Sequence, residues 1–265
     1  MAPPSDVVLI ADYGRSGQGW LSYMLCYVLN ARFIEPYAML DGRAHSTSAH
    51  VLALSQGDLP GREATRYRLV VKTHQHPVPR TEFKLTDKVV FLTRDPRDVS
   101  ISAMFYHRNA WRVSRPGRPL AWIVGYLRTT LPGSALDTAR RWARFRRAWA
   151  PIPSFHVRYE DLRRDPHAVL RAILDYLEVH APDALIADAV EQFTFQQLTG
   201  RTPGTEAKDN SEFRKGIVGD YKNHYPSWLN RALWFVCGTD AAAAGYRANG
   251  EGPGTPVDAG RPIAS

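Results

Sequence analysis

The stretch Val7-Val8-Leu9-Ile10-Ala11-Asp12-Tyr13-Gly14-Arg15-Ser16-Gly17-Gln18-Gly19-Trp20-Leu21 decides the fold class. The apolar run Val7 to Ala11 has the length of one buried strand. A polar, glycine-rich turn follows it, and Trp20 to Ala31 then reads as a mostly apolar helix. Gly14, Gly17 and Gly19 let backbone N–H groups close around an oxyanion, and the start of the helix adds partial positive charge. Arg15 and Ser16 add side-chain donors, which moves the reading from a bare turn to a phosphate loop. A strand, an anion loop and a helix in that order open a parallel α/β sheet.

Outward from this stretch the same alternation continues. Leu69 to Lys72, Val89 to Thr93 and Phe155 to Tyr159 read as further buried strands. Pro96 to Tyr106, Asp137 to Trp149 and Pro166 to Leu177 read as helices, the last with Val169, Leu170, Ile173, Leu174 and Leu177 at helical spacing. The expected fold is a single α/β domain over residues 1–247. It has a mostly parallel β-sheet flanked by helices on both faces and a P-loop-like loop after the first strand. Ligands of such sheets gather beyond the carboxyl ends of the strands. Residues 248–265, rich in Gly, Pro and Ala, are expected to be a disordered tail.

Composition narrows the class. The 265 residues are 44% hydrophobic and 23% charged, which excludes wholesale disorder, a collagen repeat and a coiled coil. The net charge is +8, and it is uneven: Phe91 to Arg171 holds 16 arginines, no lysine and 6 acidic residues. A localised basic surplus points to an anionic partner. On the helix from Asp137 to Trp149, Arg140, Arg141, Arg144 and Arg147 fall mostly away from Trp142, Phe145 and Trp149. They read as a solvated face, or as a patch for an acidic acceptor. Cys26 and Cys237 are too few for a disulfide framework and read as reduced core thiols. Met1 to Asp12 lacks the charge and apolar run of a signal peptide, and no apolar run approaches the roughly 18 residues of a span, so a cytoplasmic location is expected. His45, His50, His74 and His76 have no metal-ligand spacing, and no metal is expected.

The glycine loop is not a Walker A loop. Gly14 and Gly19 have the right separation, but Trp20-Leu21 stands where Lys-Ser/Thr should follow, so the hydroxyl that would hold Mg²⁺ is missing. Trp20 offers a flat face for a purine instead.

Five segments, in order, carry a family resemblance. Tyr13 to Leu21 is similar to the Tyr-Pro-Lys-Ser-Gly-Thr-Thr-Trp-Leu loop of the PAPS-dependent sulfotransferases, where PAPS is 3′-phosphoadenosine-5′-phosphosulfate. Lys72-Thr73-His74 resembles their Lys-Thr-His. Arg94-Asp95-Pro96-Arg97-Asp98-Val99-Ser100-Ile101-Ser102 resembles their 3′-phosphate motif. Tyr159-Glu160-Asp161-Leu162 and the segment Phe213 to Tyr225, with Arg214-Lys215-Gly216, also match. The matches span about four-fifths of the chain, and the resemblance is to the cytosolic type and implies a bacterial small-molecule sulfotransferase.

The resemblance implies PAPS as co-substrate, PAP (adenosine 3′,5′-bisphosphate) as product, and no metal. It implies that Gly14, Arg15, Ser16, Gly17, Gln18 and Gly19 hold the 5′-phosphosulfate. It further implies that Arg94, Ser102, Arg214, Lys215 and Gly216 hold the 3′-phosphate, that Trp20, Tyr159, Thr194 and Phe195 surround adenine, and that Phe213 also belongs to the cofactor site. His74 would be the base, with His76 the runner-up, and Lys72 and Arg15 would stabilise the departing phosphate. The physics agrees, because two separated anionic groups need two separate sets of cations. The chain departs from the family at Gly14 for Pro, Arg15 for Lys, and Gln18-Gly19 for Thr-Thr, which removes two hydroxyls from the loop.

The expected acceptor is a small apolar or aromatic molecule with a hydroxyl, of natural-product type. Tyr37, Phe83, Tyr106 and Trp111 are the candidate lining, and Met39, Phe105, Trp122 and Tyr126 lie in the same segments. Two other readings stand beside this one. A P-loop kinase would need Mg²⁺-dependent ATP binding, and a nucleic-acid-binding protein would show a steep salt dependence. Neither nucleic acid nor a membrane is expected as partner, and the oligomeric state stays open.

Overall fold

The computed structural model describes residues 6–35, 53–54, 57, 59–63, 65–77, 88–114, 132–206 and 213–250, without the side chains of 109–114 and 132. Strand β1 (Val7–Asp12) lies in the middle of a five-stranded parallel sheet, order β2-β3-β1-β4-β5. The others are β2 (Arg32–Ile34), β3 (Leu69–Thr73), β4 (Lys88–Thr93) and β5 (Phe155–Arg158). This is the expected fold, with one strand more than the periodicity predicts: β2 has three residues, too few to read.

Alternation along β1 sorts its side chains between two layers. Val8 and Ile10 join a cluster with Leu21 and Leu25 of α1 (Gln18–Leu29). Leu9 and Ala11 point to the opposite face, against Phe91, Phe145 and Trp149. Every residue of α1 but Gly19 is buried, which explains why its sequence is apolar on all sides.

After β4 come α2 (Pro96–Ser114) and α3 (Pro132–Trp149). Helix α3 uses Phe145 and Trp149 on the sheet, and packs Ala135, Ala139 and Trp142 in a second cluster with Leu229 and Leu233. Arg140, Arg141, Arg144 and Arg147 are exposed on this helix. Next are α4 (Tyr159–Arg164), α5 (Pro166–Tyr176), α6 (Asp183–Gln192), α7 (Phe195–Thr199) and α8 (Ser227–Ala243). Cys26 and Cys237 are buried free thiols.

The connection from β1 leads toward β2, and that from β4 leads toward β5. Adjacent strands whose connections diverge leave a crevice beyond their carboxyl ends. The loop after β1 and Arg94 after β4 both emerge at this crevice. The far end of the described chain is tied down, since Arg97 donates to the carbonyls of Arg247 and Ala248. Residues 251–265 of the expected tail lie outside the described residues. Among the described residues no helix is long and apolar enough to cross a membrane.

Candidate functional site

A cleft of about 490 Å³ occupies the crevice. Its lining includes Gly14, Arg15, Gly17, Gln18, Gly19 and Trp20 from the β1–α1 turn, Lys72 and His74 from β3 and its end, and Arg94 and Ser102 from β4 and α2. Tyr159, Phe195, Phe213, Arg214, Lys215 and Gly216 complete it from the other side. Six segments far apart in sequence thus converge on one cavity.

The turn after β1 owes its shape to two residues at positive φ, Arg15 at 72° and Gly17 at 94°. A Cβ on Gly17 would sit 2.5 Å from the Tyr159 ring, so only glycine allows loop and ring to approach this closely. Gly17→Ala should therefore push the two apart. We expect at least a tenfold loss of PAP affinity and a stability loss of about 1–3 kcal/mol, by titration and urea unfolding. Arg15 bears its strained backbone under several side-chain contacts. Its Nε donates to Ser102 Oγ at 3.3 Å, and its guanidinium lies 4.5 Å from the Tyr106 ring centre.

Two expected loop contacts are spent inside the protein. Ser16 is buried away from the cleft, with Oγ donating to the Tyr13 carbonyl at 2.9 Å. Gln18 turns its carboxamide into the core and donates to the Ile10 carbonyl, so it reaches the cleft without offering that amide to a ligand. Thr194 is likewise absent from the lining. Its hydroxyl caps α7, accepting from the Gln197 N–H.

Arg94 links the two halves of the cleft. It donates to the carbonyls of Arg15 and Ile217, and its guanidinium stacks 4.3 Å from the Tyr159 ring centre. Asp98, one turn further along α2, accepts from the N–H groups of Gly219 and Tyr221 at 2.7 and 3.0 Å, fastening the segment that carries Arg214. Arg214 and Lys215 pair with buried Asp220. Burial would raise that carboxyl, but donors on Asn223, Arg214 and Lys215 hold it well below the usual carboxylate range. Among the described residues, Arg94 Nε and Arg214 Nη1 are buried without a hydrogen-bond partner. A buried unsatisfied donor is costly, and both belong to guanidinium groups that line the cleft.

Glu160 lies behind the site, accepting from Asp95 N–H and Tyr246 O–H, each at 3.0 Å. Burial pushes its carboxyl up to about 7 from an ordinary value of 4.5. A raised folded value means that stability falls as pH rises from the unfolded to the folded value. Glu160→Gln should thus be more stable than the parent at pH 8 by roughly 1–3 kcal/mol, with the gain vanishing below pH ~4.5. Urea unfolding at the two pH values checks this.

Lys72 Nζ sits 2.5 Å from Glu35 Oε1 at the end of β2. His74 is held against Asp12, while His76 leaves the cleft and packs its ring on Phe145. Of the candidate acceptor residues, Tyr106 lines the cleft, as do Tyr13, His107 and Leu198. Phe105 is buried with Ile101 and Tyr221 instead. Tyr37, Met39, Phe83, Trp122, Tyr126 and the side chain of Trp111 lie outside the described residues. Sequence reading missed Asp12, Glu35, Asp98, His107 and Arg163 as neighbours of the site. Asp98 was visible inside the Arg94–Ser102 motif; the others lack a local signal.

Residues 5–242 match the sulfotransferase domain family. Mouse sulfotransferase 1E1 is 25% identical over 256 residues, covering 86% of this chain and 81% of that protein. In structure, mouse sulfotransferase SULT7A1 complexed with PAP superimposes with a TM-score of 0.57 at 17% identity, covering 89% of this chain and 85% of the other. Retinol dehydratase, in complex with androsterone and inactive cofactor PAP, gives 0.54 at 17% identity, with 91% and 82% covered.

Proposed function

The chain belongs to the sulfotransferase domain family, and we propose that it moves a sulfuryl group from PAPS to the hydroxyl of a small apolar or aromatic acceptor, releasing PAP. The observation that carries this reading is the pair of unsatisfied buried donors, Arg94 Nε and Arg214 Nη1, both on guanidinium groups that line the cleft. A site for a nucleotide with a single phosphate arm would not need them. They fit a second phosphate, on the ribose, apart from the one held by the glycine loop.

The remaining residues then divide the work. Backbone N–H groups of the Gly14–Gly19 turn and the start of α1 bind the 5′-phosphosulfate. Ser102 and Lys215 join the two arginines around the 3′-phosphate. Trp20 and Tyr159, whose rings meet edge to face at 6.5 Å, form the adenine slot with Phe195. Base stacking of this kind contributes about 1–3 kcal/mol per aromatic.

His74 takes the acceptor proton as oxygen attacks sulfur in line, and the S–O bond to the 5′-phosphate breaks. Charge collects on the departing phosphate oxygen, where Lys72 and Arg15 act as fixed cations. Lys72 must exchange Glu35 for that oxygen. Arg15 works by charge alone, because a guanidinium does not give up a proton near neutral pH. Tyr13, Tyr106 and Leu198 supply the aromatic and apolar surface that supports an acceptor of that type.

Calorimetric titration with PAP, and separately with ATP plus Mg²⁺, tests the assignment. Tight PAP binding with feeble ATP binding is expected. The reverse would replace it with a kinase reading.

A further inference from the structure

The parallel register pairs Ala11 of β1 with Thr73 of β3. The next residue on each strand is therefore Asp12 on one side and His74 on the other, leaving the sheet side by side. His74 Nδ1 makes its hydrogen bond to the Asp12 backbone oxygen at 3.1 Å and lies 2.6 Å from Asp12 Oδ1, within ion-pair distance. Both neighbours only accept hydrogen bonds, so the ring hydrogen belongs on Nδ1. The Asp12 side chain is fully buried, and its second oxygen accepts the Ser16 N–H at 3.3 Å. That bond braces the carboxylate from the phosphate loop and limits its rotation.

We propose that Asp12 is a positioning residue for the base: it holds His74 with hydrogen on Nδ1, so that Nε2 is the atom that takes the acceptor proton. This rests on the reading of His74 as the base. A base with the wrong tautomer has no lone pair to offer, and a buried carboxylate behind an imidazole also stabilises the cation that forms. Asp12 does both while anchored to the turn that holds the phosphosulfate, which links the base to the group being transferred.

The surrounding charges are few. Lys72 precedes His74 on β3 and is itself paired with Glu35 from β2; Arg15 comes from the loop, and His107 and Tyr106 come from α2. Burial would lower the His74 value, but the Asp12 carboxylate and its hydrogen bonds outweigh both burial and Lys72, and the net shift is upward. Removing the carboxylate charge should lower it.

The test has two arms. Nitrogen-15 NMR of the histidine rings in the wild-type protein with PAP, assigned with His74→Gln, reads the tautomer directly. Hydrogen on Nδ1 is expected, and hydrogen on Nε2 overturns the proposal whether or not any acceptor has been found. The second arm is Asp12→Asn, which keeps an acceptor for the Ser16 N–H. With PAPS and 2-naphthol as the probe acceptor, turnover should fall about 10²-fold or more. PAP affinity should stay within about threefold, and the acidic limb of the rate profile should move to lower pH. Turnover near the parent's with an unmoved limb overturns the proposal. So does an equal loss of turnover and PAP affinity with an unmoved limb, which would leave Asp12 as a brace for the loop. Failure of the wild-type protein to bind PAP would strike the sulfotransferase reading, and with it the base that Asp12 is proposed to position.

Discussion

His74→Ala lowers turnover by about 10²–10⁴-fold and leaves PAP affinity nearly unchanged, the signature of a lost general base. A neutral alcohol attacks sulfur slowly unless its proton leaves as the bond forms. The imidazole is 39% exposed and lines the same cleft as Arg15, Lys72 and Arg94. Truncation leaves Asp12 buried without its partner, so some stability is lost too, and His74→Gln serves as the polar control. In the parent, the rate should rise with pH, because only neutral imidazole accepts a proton. The shift of His74 is upward, so the midpoint lies above the ordinary 6.5. In either variant that limb should disappear. Initial rates against PAPS concentration, across pH 5–9, together with PAP titration, decide the matter. Near-normal turnover in both variants would remove His74 from the mechanism.

Legibility in the sequence depended on whether a feature is local. The β1 strand, its glycine turn and α1 are one continuous signal, and each part is explained by its neighbours in the chain. Helix α8 was equally present, as Leu229, Leu233, Cys237 and Ala241 at fourfold spacing, but Pro226 caps it without a side-chain hydrogen bond. With no start signal, the segment does not announce itself as a helix. Strand β2 gains its order only by pairing with β3, which no window of its own residues encodes.

The site divides the same way. Gly17 and Gly216 announce themselves by composition, and the structure supplies the reason: at positive φ, each lies under an aromatic ring, Tyr159 or Phe195. Ser16 and Thr194 are the opposite case. Their residue type suits a phosphate or a base edge, yet local backbone groups capture both hydroxyls, as Ser and Thr beside helix ends commonly allow. Asp12 reads as part of a turn until the register with β3 sets it beside His74. Glu35 is a lone acid until β2 brings it to Lys72. Such partners come from sheet order, and sheet order is a property of the whole domain.

Sheet order also brings together the two halves of the cleft, and Arg94 is where they meet. Arg94→Ala should weaken PAP binding roughly 30- to 10³-fold, the range for truncating a buried, hydrogen-bonded charge. Adenosine 5′-monophosphate lacks the 3′-phosphate, and its affinity should fall by less than about tenfold, the share owed to the Tyr159 stack and the Arg15 carbonyl. The quantity to measure is therefore the preference for PAP over that nucleotide, by calorimetry on parent and variant. It should be large in the parent and mostly lost in the variant. Asp98 keeps the Gly219 and Tyr221 N–H groups when Arg94 is gone, so the 213–223 segment should stay docked. Arg94→Lys should recover part of the preference, because charge returns without the fork. An equal loss for both nucleotides would assign Arg94 to loop architecture. The second phosphate would then rest on Arg214 and Lys215, which Asp220 already holds in place.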